Sequence, residues 1–227
     1  MTALGDWMRE PARLEPREPD GGPRYILNRL LGVVQELSLA RDLPTIMEIV
    51  RGAARELTGA DGASFVLRDG DLCYYADESA IEPLWKGLRF PMSRCVSGWV
   101  MENREGVAIA EVFADPRVPA DAYRPTFVQS LAMVPIRTRA PIGAIGTYWA
   151  CRHLAAPEEL AVLQALADST SVAMENVEVY GELEKRVRQR TVALEAANRE
   201  LTAAHEVLLE LQRQKEAASA LAASFCR

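Results

Sequence analysis

The chain has 227 residues, 49% of them hydrophobic and 26% charged, with a formal net charge of −6. That is room for one domain of ordinary size and a helical extension, and the acidic balance argues against a nucleic-acid surface. No apolar run approaches the roughly 20 residues of a membrane span, and the four cysteines (Cys73, Cys95, Cys151, Cys226) match no zinc or redox spacing, so a cytoplasmic chain with reduced thiols, no metal and no membrane partner is expected.

Residues 1–23 carry four prolines and the Gly21-Gly22 pair among charges, which predicts a flexible leader. From Arg24, Leu27, Leu30, Val34 and Leu37 recur at spacings of three and four, the signature of an amphipathic helix. A second helix follows Pro44, with Ile46, Ile49, Val50 and Leu57 on its buried side and Asp42 placed to cap it. The period then changes to that of strands. Ala63 to Leu67 and Leu72 to Tyr75 flank an Asp69-Gly70 turn, which predicts a hairpin. Val96 to Glu102 reads as a short helix, Val107 to Val112 as a strand, and Phe113 to Thr126 as an irregular loop of a length that often serves function. Leu131 to Thr138 and Ile142 to Cys151 are the last strands. Pro157-Glu158-Glu159 opens a long helix, with Gly181 as its expected loosening point.

Along that helix every seventh residue is apolar: Leu166, Ala173, Tyr180, Val187, Leu194, Leu201 and Leu208. Such a column is buried only against a second helix, so it predicts the seam of a homodimeric coiled coil. The companion column turns polar, and Asn198 within it predicts a seam that sets register at some expense of stability. Basic and acidic residues are balanced from Gly181 to Glu216, as on a solvated helix.

Several segments resemble the GAF family of sensory domains. Ser97-Gly98-Trp99-Val100, Val107 to Val112, Ser130-Leu131-Ala132-Met133-Val134-Pro135-Ile136 and Pro141-Ile142-Gly143-Ala144-Ile145-Gly146 are similar to successive blocks of that family, over residues 41 to 180. The resemblance implies an α+β fold, a central antiparallel sheet flanked by helices, followed here by a long C-terminal coiled-coil helix. It divides the chain into a leader (1–23), a sensory domain (24–180), a coiled coil (181–216) and a tail (217–227).

Val187 to Leu201 resembles the signalling helix that joins sensory domains to bacterial sensor histidine kinases, with Gln189 where that family carries Glu. His205-Glu206 begins a phosphoacceptor box, but Val207-Leu208-Leu209 departs from it, and no ATP-binding domain follows. The expectation is therefore a non-enzymatic input module of a two-component system, coupled to a kinase or another output domain. Free methionine-(R)-sulfoxide reductases are similar around Ser97, which stands where their catalytic thiol falls. Cys95 is read as a small residue opening a helix, whose N-terminal end can lower a thiol's pKa. No cofactor is expected: there is no Cys-His pair for a bilin, and His153 alone is a weak haem ligand.

A small-molecule pocket is expected between sheet and loop, lined by Trp99, Phe113, Tyr123, Phe127 and Tyr148, with the ligand left open. Strand alternation puts Tyr148 and Trp149 on opposite faces, so one of them faces the pocket. The same aromatics could equally be core, and the chain a purely structural dimerisation protein. Arg124 and Arg137 are candidates to pair an acidic ligand.

Overall fold

A computed structural model describes residues 22–225, so residues 1–21 of the leader expected over 1–23 lie outside the described residues. Two helices come first. Helix α1 (Pro23–Leu39) starts with proline at its first turn, where no hydrogen-bond donor is needed. Helix α2 (Leu43–Thr58) is capped by Asp42, whose carboxylate accepts the Thr45 N–H at 2.8 Å. Ile46, Val50, Ala53, Ala54 and Leu57 of α2 are buried. Each large aliphatic side chain so buried contributes about 1.5–3 kcal/mol.

The inward face of α1 is set by Val33 and Leu37. Leu27, Leu31 and Val34 are 56%, 55% and 39% exposed, so the apolar stripe of Leu27, Leu30, Val34 and Leu37 is only partly covered by the domain. Two adjacent apolar rows run along this helix, and periodicity alone does not say which of them meets α2.

The sheet has six strands: β1 (Gly62–Asp69), β2 (Leu72–Ala80), β3 (Arg89–Pro91), β4 (Val107–Ile109), β5 (Ser130–Ile136) and β6 (Gly143–Trp149). Its order is β3-β2-β1-β6-β5-β4, and every neighbouring pair is antiparallel. The third strand predicted from sequence stops at Ile109, and Val112–Ala114 forms a 3₁₀ turn instead. Strand β3 carries no alternation long enough to read. Helices α3 (Val96–Asn103) and α4 (Ala120–Tyr123) lie in the connections, the latter inside the segment expected to be irregular.

Alternation along the strands builds two cores. Ala63, Phe65, Ala132, Val134, Ile136, Ile145 and Trp149 pack with α1, α2 and α5 (Pro157–Phe225). Val66, Tyr75, Leu131, Met133, Ala144 and Tyr148 face the other way, into a second core closed by α3 and the connections. Tyr148 and Trp149 thus go to opposite faces, and Tyr148 is the one on the loop side.

The chain falls into two compact units, one ending at Val177 and the other beginning at Glu178. In the first, α5 buries Leu163, Leu166, Ala167 and Ala173 in the helix-covered core. Leu166 and Ala173 are therefore corrected: they serve the interior of the domain, because the sheet and the first helices already occupy the face expected to form a dimer seam. In the second unit the helix continues without interruption through Gly181 and on to Phe225. Tyr180, Val187, Leu194, Leu201 and Leu208 are all exposed there, as is Asn198. Among the described residues no helix is long and apolar enough to cross a membrane.

Candidate functional site

The loop side of the sheet carries an aromatic box centred on Trp85. Its ring lies 5.5 Å from Tyr75, 4.6 Å from Tyr123 and 5.4 Å from Tyr148, centroid to centroid. The contacts with Tyr75 and Tyr148 are edge-on, the arrangement aromatic quadrupoles favour. The connection between β2 and β3 delivers Trp85, and the Glu78 carboxylate holds that connection by accepting the N–H groups of Leu84, Trp85 and Lys86 at 2.8–2.9 Å. The indole N–H of Trp85 donates to the Ala122 carbonyl at 3.1 Å, tying the box to α4.

Three phenols point into this box. Tyr148 shares a 2.7 Å hydrogen bond with the Ser64 hydroxyl, a bond that needs Gly146: an alanine Cβ there would lie 2.6 Å from the Tyr148 oxygen. Tyr75 meets the Ser97 hydroxyl at 3.3 Å. The Tyr123 hydroxyl is buried and has no hydrogen-bond partner among the described residues. Burial raises the pKa of all three, so they are neutral donors at physiological pH.

Beside the box lies a cavity of about 440 Å³, walled by Met92 and Cys95, by Trp99 and Glu102 on α3, and by Arg117 and Val118 of the loop. Arg117 is anchored there by two neighbours. The guanidinium stacks 4.6 Å from the Trp99 ring and grips the Asp115 carboxylate through Nε at 2.9 Å and a terminal nitrogen at 2.6 Å. That ion pair holds the Asp115 carboxyl below its ordinary value.

Cys95 joins cavity and box. It caps α3, its sulfur accepting the Gly98 N–H at 3.4 Å and the Ser97 hydroxyl at 3.3 Å. Ser97 in turn reaches Tyr75, so one chain of hydrogen bonds runs from the cavity wall to the phenols. The influence of the Cys73 thiol on β2, with the Ser97 hydroxyl and the Gly98 amide, outweighs burial and lowers the pKa of Cys95 to about 7. The neighbouring Cys95 and burial push Cys73 well up.

The residues expected to line one pocket are distributed differently. Tyr123 and Tyr148 belong to the box, whereas Trp99 belongs to the cavity wall. Phe127 packs against this core, its ring tip 3.0 Å from where a Cβ on Gly62 would stand. Phe113 is 49% exposed, because the 3₁₀ turn it occupies directs Val112 inward in its place. Arg124 is exposed near Asp121, Arg137 pairs with Glu175 at 3.1 Å, and His153 stacks on Trp149 and bonds Glu159 on the helix-covered face. Sequence reasoning does not find Trp85, Tyr75 or Arg117. A lone tryptophan in the polar stretch Glu82 to Lys86 is the available signal for the first; the other two give none beyond residue type.

The profile of the GAF domain family matches residues 40–175, and the chain belongs to that family. No curated protein matches it. Among solved structures, the fold is similar to the GAF domain of a phosphoenolpyruvate-protein phosphotransferase from Coxiella burnetii, at 20% identity and a TM-score of 0.63 over 71% of this chain and 99% of that one. It is similar also to a free methionine-R-sulfoxide reductase from Neisseria meningitidis, solved with its substrate (19% identity, TM-score 0.60, 68% of this chain and 91% of that one). The GAF-B domain of DevS from Mycobacterium smegmatis is a third (18% identity, TM-score 0.53, 63% of this chain and 99% of that one).

Proposed function

We propose that this GAF domain is a signal-sensing module that binds a small ligand on the loop side of the sheet and passes the signal through a homodimeric coiled coil formed by α5. The observation that carries the ligand reading is the Tyr123 hydroxyl, buried and unpartnered in an aromatic box beside a cavity. A buried hydroxyl without a partner costs about 1–3 kcal/mol, which a ligand accepting its proton would offset. An aromatic enclosure with a few convergent donors is the usual form of a small-molecule site. Neutral phenols favour an uncharged or weakly polar ligand carrying a carbonyl or ether oxygen.

Transmission through α5 is supported by its exposed apolar column from Tyr180 to Leu208 and by the similarity of Val187 to Leu201 to signalling helices. The role is regulatory, the input half of a two-component sensor kinase or of another output domain. Ligand binding would bias the packing of the paired helices, which is what a signal through a two-state element requires.

A melting-temperature screen of the full chain against small carbonyl-bearing metabolites tests the ligand reading, with Tyr123→Phe as the paired variant. The variant should melt higher than the parent without ligand and respond less to any compound that stabilises the parent. A variant less stable than the parent, or one with an undiminished response, would remove Tyr123 from the site.

A further inference from the structure

We propose that the cavity beside the aromatic box binds a zwitterion, an α-amino acid with an apolar side chain. Its carboxylate pairs with Arg94 and its ammonium with Glu102. The site is separate from the ligand reading of the box, since Tyr123 is not among the cavity's walls. Three segments form it: the 3₁₀ turn Met92–Arg94, one face of α3, and loop residues 116–119. Trp99 and Glu102 stand three residues apart on α3 and so share that face. The volume of about 440 Å³ falls toward the lower end of the range for small-molecule sites, about 300–1,000 Å³.

The walls are held in place by the protein itself. Gly98 brings α3 so close to the turn that a Cβ on it would lie 1.9 Å from the Met92 carbonyl oxygen. Arg117 is fixed by the Asp115 carboxylate and the Trp99 ring, and Asp115 answers its charge. That leaves two opposite charges open to the cavity. Among the described residues, the side chains of Arg94 and Glu102 form no ion pair or hydrogen bond, either with each other or with a third group.

The class of ligand follows from those two charges lining one cavity. A simple anion drawn to Arg94 meets the Glu102 carboxylate, and a simple cation drawn to Glu102 meets Arg94. Either one gains an ion pair and suffers a repulsion, whereas a molecule carrying both signs gains two pairs. A carboxylate suits the planar fork of a guanidinium, and an ammonium offers a carboxylate up to three donors. The remaining wall includes Met92, Val118, Pro116 and Pro119, apolar surface that favours an uncharged side chain on the ligand.

Titration calorimetry of the full chain with L-leucine and L-phenylalanine tests this, each beside the amine that lacks its carboxylate and the acid that lacks its ammonium. For leucine these are isoamylamine and 4-methylpentanoate. One of the two amino acids should bind at millimolar concentration, and its analogues at least about tenfold more weakly, each having lost a charge-assisted contact. Arg94→Ala and Glu102→Gln, both at exposed positions, should each weaken the amino acid by about tenfold. They should part on the analogues: Glu102→Gln should tighten the acid, from which it lifts a repulsion, and Arg94→Ala should tighten the amine. Variants that weaken all three compounds alike would mean a distorted cavity and overturn the assignment of the two charges. Equal binding of amino acid, amine and acid to the parent chain would overturn it too. Silence of the parent chain toward both amino acids overturns the site itself. None of these outcomes bears on Tyr123, whose test is the melting behaviour of Tyr123→Phe.

Discussion

Gly98 stands in the first turn of α3, where an alanine Cβ would lie 1.9 Å from the Met92 carbonyl oxygen. Helix propensity favours alanine over glycine by about 1 kcal/mol, but backbone cannot move aside as the end of a side chain can, and overpacking of this kind costs about 1–3 kcal/mol or more. The clash wins. Gly98→Ala should lower the urea unfolding midpoint; an unchanged midpoint would mean that α3 shifts freely on Met92. Glu78 works by a different device at the same scale, one carboxylate answering three backbone donors. Glu78→Ala leaves those donors without their acceptor and should cost about 2–3 kcal/mol, with a change in Trp85 fluorescence before global unfolding. Glu78→Gln keeps one acceptor oxygen in place and should lose less.

At the scale of elements, the loop from Val112 to Thr126 is ordered by a few identifiable contacts. Short helical turns at Val112–Ala114 and Ala120–Tyr123 consume its backbone bonds, and Asp115 with Arg117 fixes the stretch between them against Trp99. Because the Asp115 carboxyl is held below its ordinary value of 3.8, its contribution is complete above that pH and fades as pH falls through the lower folded value. Hydrogen exchange across 112–126 should therefore be constant from neutral pH down to about 4, once intrinsic rates are allowed for, and protection should drop below that. Arg117→Ala should abolish the transition; an acid-induced loosening that survives in the variant would assign it to another group.

For the whole molecule, the decisive fact is where apolar surface remains. Leu27 and Leu31 of α1 are exposed, as is Val172 of α5, and Val34 and Val172 flank a groove of about 180 Å³. In the second unit, Leu183, Val187, Leu194, Leu201 and Leu208 are 54–69% exposed. A second copy of the chain would bury both sets. Light scattering should give a dimer mass at micromolar concentration, and a monomer would refute the coiled-coil proposal. If Asn198 faces its twin, Asn198→Ile should raise the melting temperature and admit trimers. A less stable variant that remains strictly dimeric would place Asn198 outside the seam.

The sequence by itself determined the order of the elements other than β3 and α4, the β1–β2 hairpin, two long neighbouring strands of the sheet and the start of α5. Those features are local: a period of two or 3.6, an Asp-Gly turn, a proline at a helix start. It determined also that Tyr148 and Trp149 part company, because alternation requires it. Only the tertiary structure decided that Leu166 and Ala173 serve the domain interior while Tyr180 and its successors stay exposed, since one unbroken apolar column reads the same whether sheet or solvent lies beside it. Likewise, Tyr75 and Ser97, Trp85 and Tyr123, or Ser64 and Tyr148 are far apart along the chain and carry no shared period. Their meeting depends on how β1 and β2 lie against β6 and on where α3 and the connections cross that sheet, and this long-range pairing leaves no mark within any one segment of sequence.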